Sequence, residues 1–180
     1  DFMGEKGLIL VHTGDGKGKT TAALGLMLRA WGDGLRVLIL QFIKGGWEYG
    51  ELKAIQRLAA LDGRLELRQC GRGFSQRQGE EQAKHAAAAA AALQQAREEI
   101  QSSRWDMVIL DEVNYAVKFG LLTEEAVLEL LREKPAGLHL VLTGRDARPA
   151  VIAAADLVTE MKLIKHPFQQ GTKAQRGIEF

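Results

Sequence analysis

Short strand-like runs alternate with helical stretches along the chain, and this alternation most restricts what it can fold into. The runs fall at residues 8–11, 36–42, 65–70, 107–110 and 139–143, and residues 157–163 can supply a sixth. Most are apolar at consecutive positions, as in Val37-Leu38-Ile39-Leu40 and Met107-Val108-Ile109-Leu110. A strand with one wet face would alternate apolar and polar residues, so these runs predict strands covered on both faces. Between them lie segments of helical character. Leu24, Met27, Leu28 and Trp31 share one helix face. Residues 52–61 read as a helix stopped by Asp62-Gly63, and residues 79–101 as a long helix. Ala86 to Ala92 give that long helix high propensity and small side chains for close packing. Thr123 is a suitable N-cap, with Glu124 and Glu125 at the positive end of its helix. Pro149 suits the first turn of a short helix over residues 150–155. Strands alternating with helices predict a mostly parallel sheet with helices on both faces.

With 180 residues, the chain is long enough for one core that hides roughly 70% of the unfolded surface. One domain, residues 1–180, is the expectation. Residues 165–180 are polar and irregular, a frayed tail or a lid. Lys and Arg number 24 against 23 Asp and Glu, a balance without the field expected of a nucleic-acid binder. No run of 18 or more apolar residues is present, so no transmembrane helix is expected. Cys70 is the only cysteine, which rules out an intrachain disulfide and suits a reducing cytoplasm. The four histidines, His12, His85, His139 and His166, lack metal-ligand spacing. No G-x-S-x-G or Cys-His pairing points to a nucleophile.

The first strand runs into "TGDGKGKTTAALG", residues 13–25. A strand, a Gly-rich turn ending in Lys-Thr and a helix together make a phosphate-binding loop. Gly14, Gly16 and Gly18 allow unusual backbone angles and leave room for phosphate oxygens. Amides of the loop and of the helix N-terminus point at the anion. Lys19 adds a mobile positive charge, and the Thr20 hydroxyl can bind Mg²⁺. The loop departs from G-x-x-x-x-G-K-[ST] in having Thr13 at the first glycine, and Lys17 is a second lysine within it. The fourth run ends in Asp111-Glu112, at the carboxyl end of a strand where ligands of open parallel sheets sit. One of these carboxylates can hold Mg²⁺ directly or through water. The expected fold is therefore α/β: a single-domain P-loop NTPase-like (RecA-like) sheet of about six mostly parallel strands, with helices on both faces. Composition and spacing stop at a nucleotide-binding P-loop protein with Mg²⁺.

Beyond that point, the chain resembles the P-loop type of ATP:corrinoid, or cob(I)alamin, adenosyltransferases. The segments that carry the resemblance are "TGDGKGKTTAALG", "VLILQFIKG", "GRGFS", "DMVILDEVNYAV", "LTGRDA", "AADLVTEM" and "GTKAQRGIEF". They follow the family's order and span nearly the whole chain. The resemblance implies transfer of the 5′-deoxyadenosyl group from ATP to Co(I) of a reduced corrinoid, with triphosphate as leaving group. The acceptor is cobalamin or a cobinamide-type precursor, and the setting is adenosylcobalamin biosynthesis or salvage. Co(I) is itself a strong nucleophile, which accounts for the lack of an activated side chain. The protein's task becomes positioning and electrostatics. Two other readings remain open: a phosphotransferase or ATPase acting at the γ-phosphate, and a non-catalytic ATP or corrinoid carrier.

Carried onto this sequence, the resemblance implies that Gly14, Asp15, Gly16, Lys17, Gly18, Lys19, Thr20 and Thr21 bind the triphosphate. Lys19 is the main phosphate contact, and Thr20 with Glu112 or Asp111 binds Mg²⁺. Lys19, Thr20 and Glu112 form the catalytic set, and Arg145 is a further phosphate contact. Phe42, Ile43 and Lys44 border the corrin, and Phe74 shields its lower face. Where the family often has "GFTW", this chain has Gly73-Phe74-Ser75-Gln76, so a tryptophan is replaced by Gln76. Trp47 and Trp105 are not obvious substitutes for it. The family's N-terminal helix is expected to be largely missing. A reduced flavin or flavodoxin as electron donor and a homodimer are further family expectations.

Overall fold

The computed structural model describes residues 6–46, 48–74 and 79–180. Its six strands are β1 (Ile9–Thr13), β2 (Val37–Gln41), β3 (Leu65–Gln69), β4 (Met107–Asp111), β5 (His139–Thr143) and β6 (Leu157–Glu160). They form one sheet in the order β3-β2-β4-β5-β1-β6, and every pairing is parallel. The helices are α1 (Lys19–Gly32), α2 (Gly50–Asp62), α3 (Glu80–Gln101), α4 (Val113–Lys118), α5 (Glu124–Arg132) and α6 (Pro149–Ala154).

Consecutive apolar residues within a strand serve opposite faces, because side chains alternate across the sheet. Leu10, Val37, Ile39, Ile109 and Val141 pack with Ala23, Met27 and Ala30 of α1 and Ile55 of α2. Their neighbours Val11, Leu38, Leu40, Leu110 and Leu142 pack on the other side. There they meet Ala89, Ala92 and Ala96 of α3, Val113 and Ala116 of α4, and Val127 and Leu130 of α5. The polyalanine run thus supplies the small surface that lets a 22-residue helix lie close to the sheet. Thr123 caps α5 as expected, its side chain accepting from the Ala126 amide.

Two elements differ from the sequence reading. α4 is a six-residue helix after β4 that the reading did not include. Valine, asparagine and tyrosine are indifferent helix formers, and the helix exists because Val113, Ala116 and Val117 are buried beneath the sheet edge. β6 ends at Glu160 rather than Leu163, because the chain leaves the sheet to brace the phosphate loop. The Met161 amide donates to the Thr13 carbonyl, and the Met161 carbonyl accepts from the Gly16 amide, each at 2.8 Å. A Cβ at Gly14, which sits at φ +100°, would come within 2.3 Å of the Met161 oxygen. One at Gly16 would come within 2.8 Å of it. These glycines are therefore needed for close backbone approach as much as for room around a phosphate. The tail contains a 3₁₀ helix over Pro167–Gln170, capped by the His166 side chain.

Candidate functional site

Carboxyl-end loops after β1, β2, β4 and β5 surround a cleft of about 820 Å³. A row of polar side chains lies in register across the sheet just below it. Gln41 pairs with Asp111, and His12 pairs with Thr143 and Thr159. Asp111 is only 1% exposed and is the hub of the row. Its Oδ1 accepts from the Thr20 hydroxyl at 2.7 Å and from the Thr143 hydroxyl at 2.9 Å. Its Oδ2 accepts from Gln41 Nε2 at 3.1 Å and from Lys44 Nζ at 3.0 Å. The Thr143 oxygen also accepts from the Glu112 amide at 2.8 Å. Burial of this carboxylate is tolerated because it meets one cation and three neutral donors.

α1 begins at Lys19 with Gly18 as its N-cap at φ 113°, and no side chain caps it. Its first-turn amides thus remain for an anion, where the helix dipole also favours negative charge. Lys19 Nζ donates to the Gly16 carbonyl at 2.6 Å. Burial and the neighbouring Arg145 guanidinium lower its pKa. The cleft is lined by residues 15–21 of the loop, by Phe74, Glu112 and Arg145, and by tail residues that include Ile178 and Phe180. Thus most of the residues picked out in the sequence lie around one opening. Gly14 supports the loop from behind, against Met161.

Phe42 is a correction to the sequence reading. It is 1% exposed, belongs to the core and does not line the cleft. It continues the alternation of Leu38 and Leu40, which face the same core, so the strand's period of two was the available signal. Gln76, Trp47 and residues 1–5 lie outside the described residues, and with them the questions of the replaced tryptophan and the N-terminal helix. Trp105 precedes β4, at the opposite end of the strands from the cleft, and its Nε1 donates to Glu99 at 2.8 Å.

Two aromatic side chains escaped the sequence reading. Tyr115 and Phe119 of the α4 region line the cleft with Phe74. Phe74 meets Tyr115 edge-to-face at 5.4 Å between centroids, and Tyr115 lies 4.2 Å from Phe119. Their spacing of four residues on a helix was the legible signal. The tail, expected as a frayed end or a lid, brings Ile178 and Phe180 to the cleft.

Glu112 adopts φ 62° as it caps α4. Its Oε2 is buried without a hydrogen-bond partner among the described residues. Burial, then the adjacent Asp111 carboxylate, pushes its pKa up to about 7. The folded protein therefore holds this proton more tightly than the unfolded chain. The associated stability is present below the ordinary glutamate value of 4.5 and is lost as pH rises through about 7. Glu112→Gln should accordingly stabilise the ligand-free protein by up to about 3 kcal/mol above pH 7. The gain should shrink below about 1 kcal/mol at pH 5. Urea denaturation at the two pH values measures it, and a gain independent of pH would contradict the assignment.

The family model for "ATP:corrinoid adenosyltransferase BtuR/CobO/CobP" matches residues 5–180. A corrinoid adenosyltransferase of Sinorhizobium sp. is 43% identical over 98% of this chain and 81% of its own length. One from Pseudomonas aeruginosa is 42% identical over 98% of this chain and 85% of its own. Corrinoid adenosyltransferase CobA of Salmonella typhimurium is 37% identical over 98% and 87%. Among solved structures, the flagellar accessory protein FlaH from Methanocaldococcus jannaschii superposes with a TM-score of 0.56 at 11% identity. That likeness covers 88% of this chain and 74% of FlaH, and it concerns the fold alone. The phosphate loop, the carboxylate pair at the end of β4 and a similarity that spans nearly the whole chain agree: this chain belongs to the ATP:corrinoid adenosyltransferase family, a family of transferases.

Proposed function

We propose that the cleft holds ATP with its triphosphate on residues 14–21 and turns C5′ toward the Co(I) centre of a reduced corrinoid. The electron pair of Co(I) forms the Co–C5′ bond, the C5′–O bond breaks, and triphosphate leaves with the electron pair of that C5′–O bond. One observation supports this reading above others: a cationic phosphate loop and an aromatic wall of Phe74, Tyr115 and Phe119 line the same cleft. The first suits a polyanion and the second a flat macrocycle.

Lys17, Lys19 and Arg145 face the triphosphate, whose charge grows as the C5′–O bond breaks. The donor set also fits Mg²⁺, which prefers hard oxygen ligands. The Thr20 proton goes to Asp111, which leaves the Thr20 oxygen lone pairs for a cation. The orphaned Glu112 Oε2 is a second candidate. Asp111 has both oxygens occupied by donors, so of the two carboxylates Glu112 is the better placed. A magnesium ion held there would neutralise the departing triphosphate.

Residues 1–180 act as one domain in this reading, and residues 165–180 form a lid, since tail residues already line the cleft. No described helix is long and apolar enough to cross a membrane. A reducing cytoplasm and a reduced flavin or flavodoxin donor fit the need for Co(I). A homodimer is supported by β6, an edge strand with all four residues exposed, among them Leu157 and Val158.

Incubation with ATP, Mg²⁺ and chemically reduced cobalamin should yield adenosylcobalamin and triphosphate in equal amounts. Formation of ADP and phosphate instead would reject this reading in favour of γ-phosphate chemistry. Tight binding without turnover would indicate a carrier. Phe74 is 48% exposed in the cleft, and Phe74→Ala should harm activity more when the corrinoid starts as Co(II) than as Co(I). Equal losses in the two assays would remove its shielding role.

A further inference from the structure

Lys44 follows β2 in the loop that leads to α2, and the resemblance implies that it borders the corrin. It lines the cleft but is only 8% exposed. Its Nζ lies 3.0 Å from Asp111 Oδ2, 3.9 Å from Glu51 Oε1 and 5.1 Å from the centroid of the Tyr49 ring. The carboxylate it meets is divided in function. Oδ2 is taken by Lys44 and Gln41, and Oδ1 by Thr20 and Thr143. A hydroxyl has one proton to donate. While Asp111 Oδ1 accepts the Thr20 proton, the Thr20 lone pairs are the part left for the cleft. Were Asp111 to rotate away, the Thr20 hydrogen could turn toward a bound cation and repel it.

We propose that Lys44 is a positioning residue: by fixing Asp111 through Oδ2, it keeps Oδ1 on the Thr20 hydroxyl and so presents the Thr20 oxygen to the nucleotide-bound cation. This rests on the reading that Thr20 takes part in holding that cation. Two effects of Lys44 oppose each other, which makes the role testable. As a bare positive charge, Lys44 repels a nearby cation, so its removal would tighten cation binding. As a positioning group, its removal loosens the ligand that the cation needs.

The test is ATP binding by titration calorimetry across a series of Mg²⁺ concentrations, without corrinoid, for the unaltered protein, Lys44→Met and Lys44→Gln. Thermal shifts with ATP plus Mg²⁺ and with ATP plus a chelator, each referred to the same variant without ligand, give a second readout. The expected result is a rise of tenfold or more in the half-saturating Mg²⁺ for Lys44→Met. Lys44→Gln should show a smaller rise, because its amide still donates to Asp111, and it carries the comparison should Lys44→Met not fold. A Mg²⁺ requirement that is unchanged or lower in the variants overturns the proposal and leaves Lys44 as a structural tie. ATP binding by the unaltered protein that is indifferent to Mg²⁺ overturns the cation reading itself, and this role with it.

Discussion

Lys19→Ala should lower turnover about 10²–10³-fold, the usual cost of one preorganised donor at a developing anion. The physical case begins with the place of Lys19 in the chain. It is the first residue of α1, at the uncapped N-terminus of the helix. Its Nζ rests on the Gly16 carbonyl, within the loop that would cradle the triphosphate. When the attacking group is already a strong nucleophile, little catalytic work is needed at the attacking side. In the proposed reaction the protein's contribution concentrates on the leaving triphosphate, beside which Lys19 would stand with Lys17 and Arg145, all of which line the cleft. Lys19→Arg should rescue poorly, because a planar fork does not reproduce a compact ammonium in a tight loop. Steady-state formation of adenosylcobalamin measures both variants. Because the side chain is only half-buried, the melting temperature should change little. An unchanged kcat/KM for Lys19→Ala would contradict the triphosphate assignment.

Asp111→Ala should be the most damaging single change to the fold. It removes the shared acceptor of Thr20, Thr143, Gln41 and Lys44. Breaking a buried ion pair by deleting one partner costs about 3–5 kcal/mol. Here the stranded group is the Lys44 ammonium, 8% exposed, with Glu51 at 3.9 Å as its remaining carboxylate. Each buried donor left without an acceptor adds about 1–3 kcal/mol. Against a total stability of about 5–15 kcal/mol for a domain, the variant should be largely unfolded or only marginally folded. Asp111→Asn should lose less, since it keeps the volume and one acceptor oxygen, although its amide then faces donors. Urea denaturation provides the measurement. A loss below about 1 kcal/mol for Asp111→Ala would mean that the network carries little of the stability.

The loop and the carboxylate pair were legible because their chemistry is local. Residues 14–21 are contiguous, and a Gly-rich turn between strand and helix dictates what its amides can bind. The five strands from β1 to β5 lay within about two residues of their expected places. Uninterrupted apolar runs such as Val37 to Leu40 leave no face for water. α4 escaped because its six residues carry weak propensity and form a helix only against the core. Phe42 was misplaced for a different reason: its position just beyond the strand was weighed above the alternation with Leu38 and Leu40, which directs it into the core.

The sequence by itself determined the parallel α/β layering, the phosphate loop and the acidic end of β4, since each follows from periodicity or from neighbours in the chain. Only the tertiary structure decided that Lys44 is buried on Asp111, that Tyr115 and Phe119 extend the wall begun by Phe74, and that Met161 braces the loop. Apart from Tyr115 against Phe119, these contacts join residues 41 to 148 positions apart. No local pattern specifies such pairs, because they are set by strand order and register, which bring distant carboxyl ends to one edge.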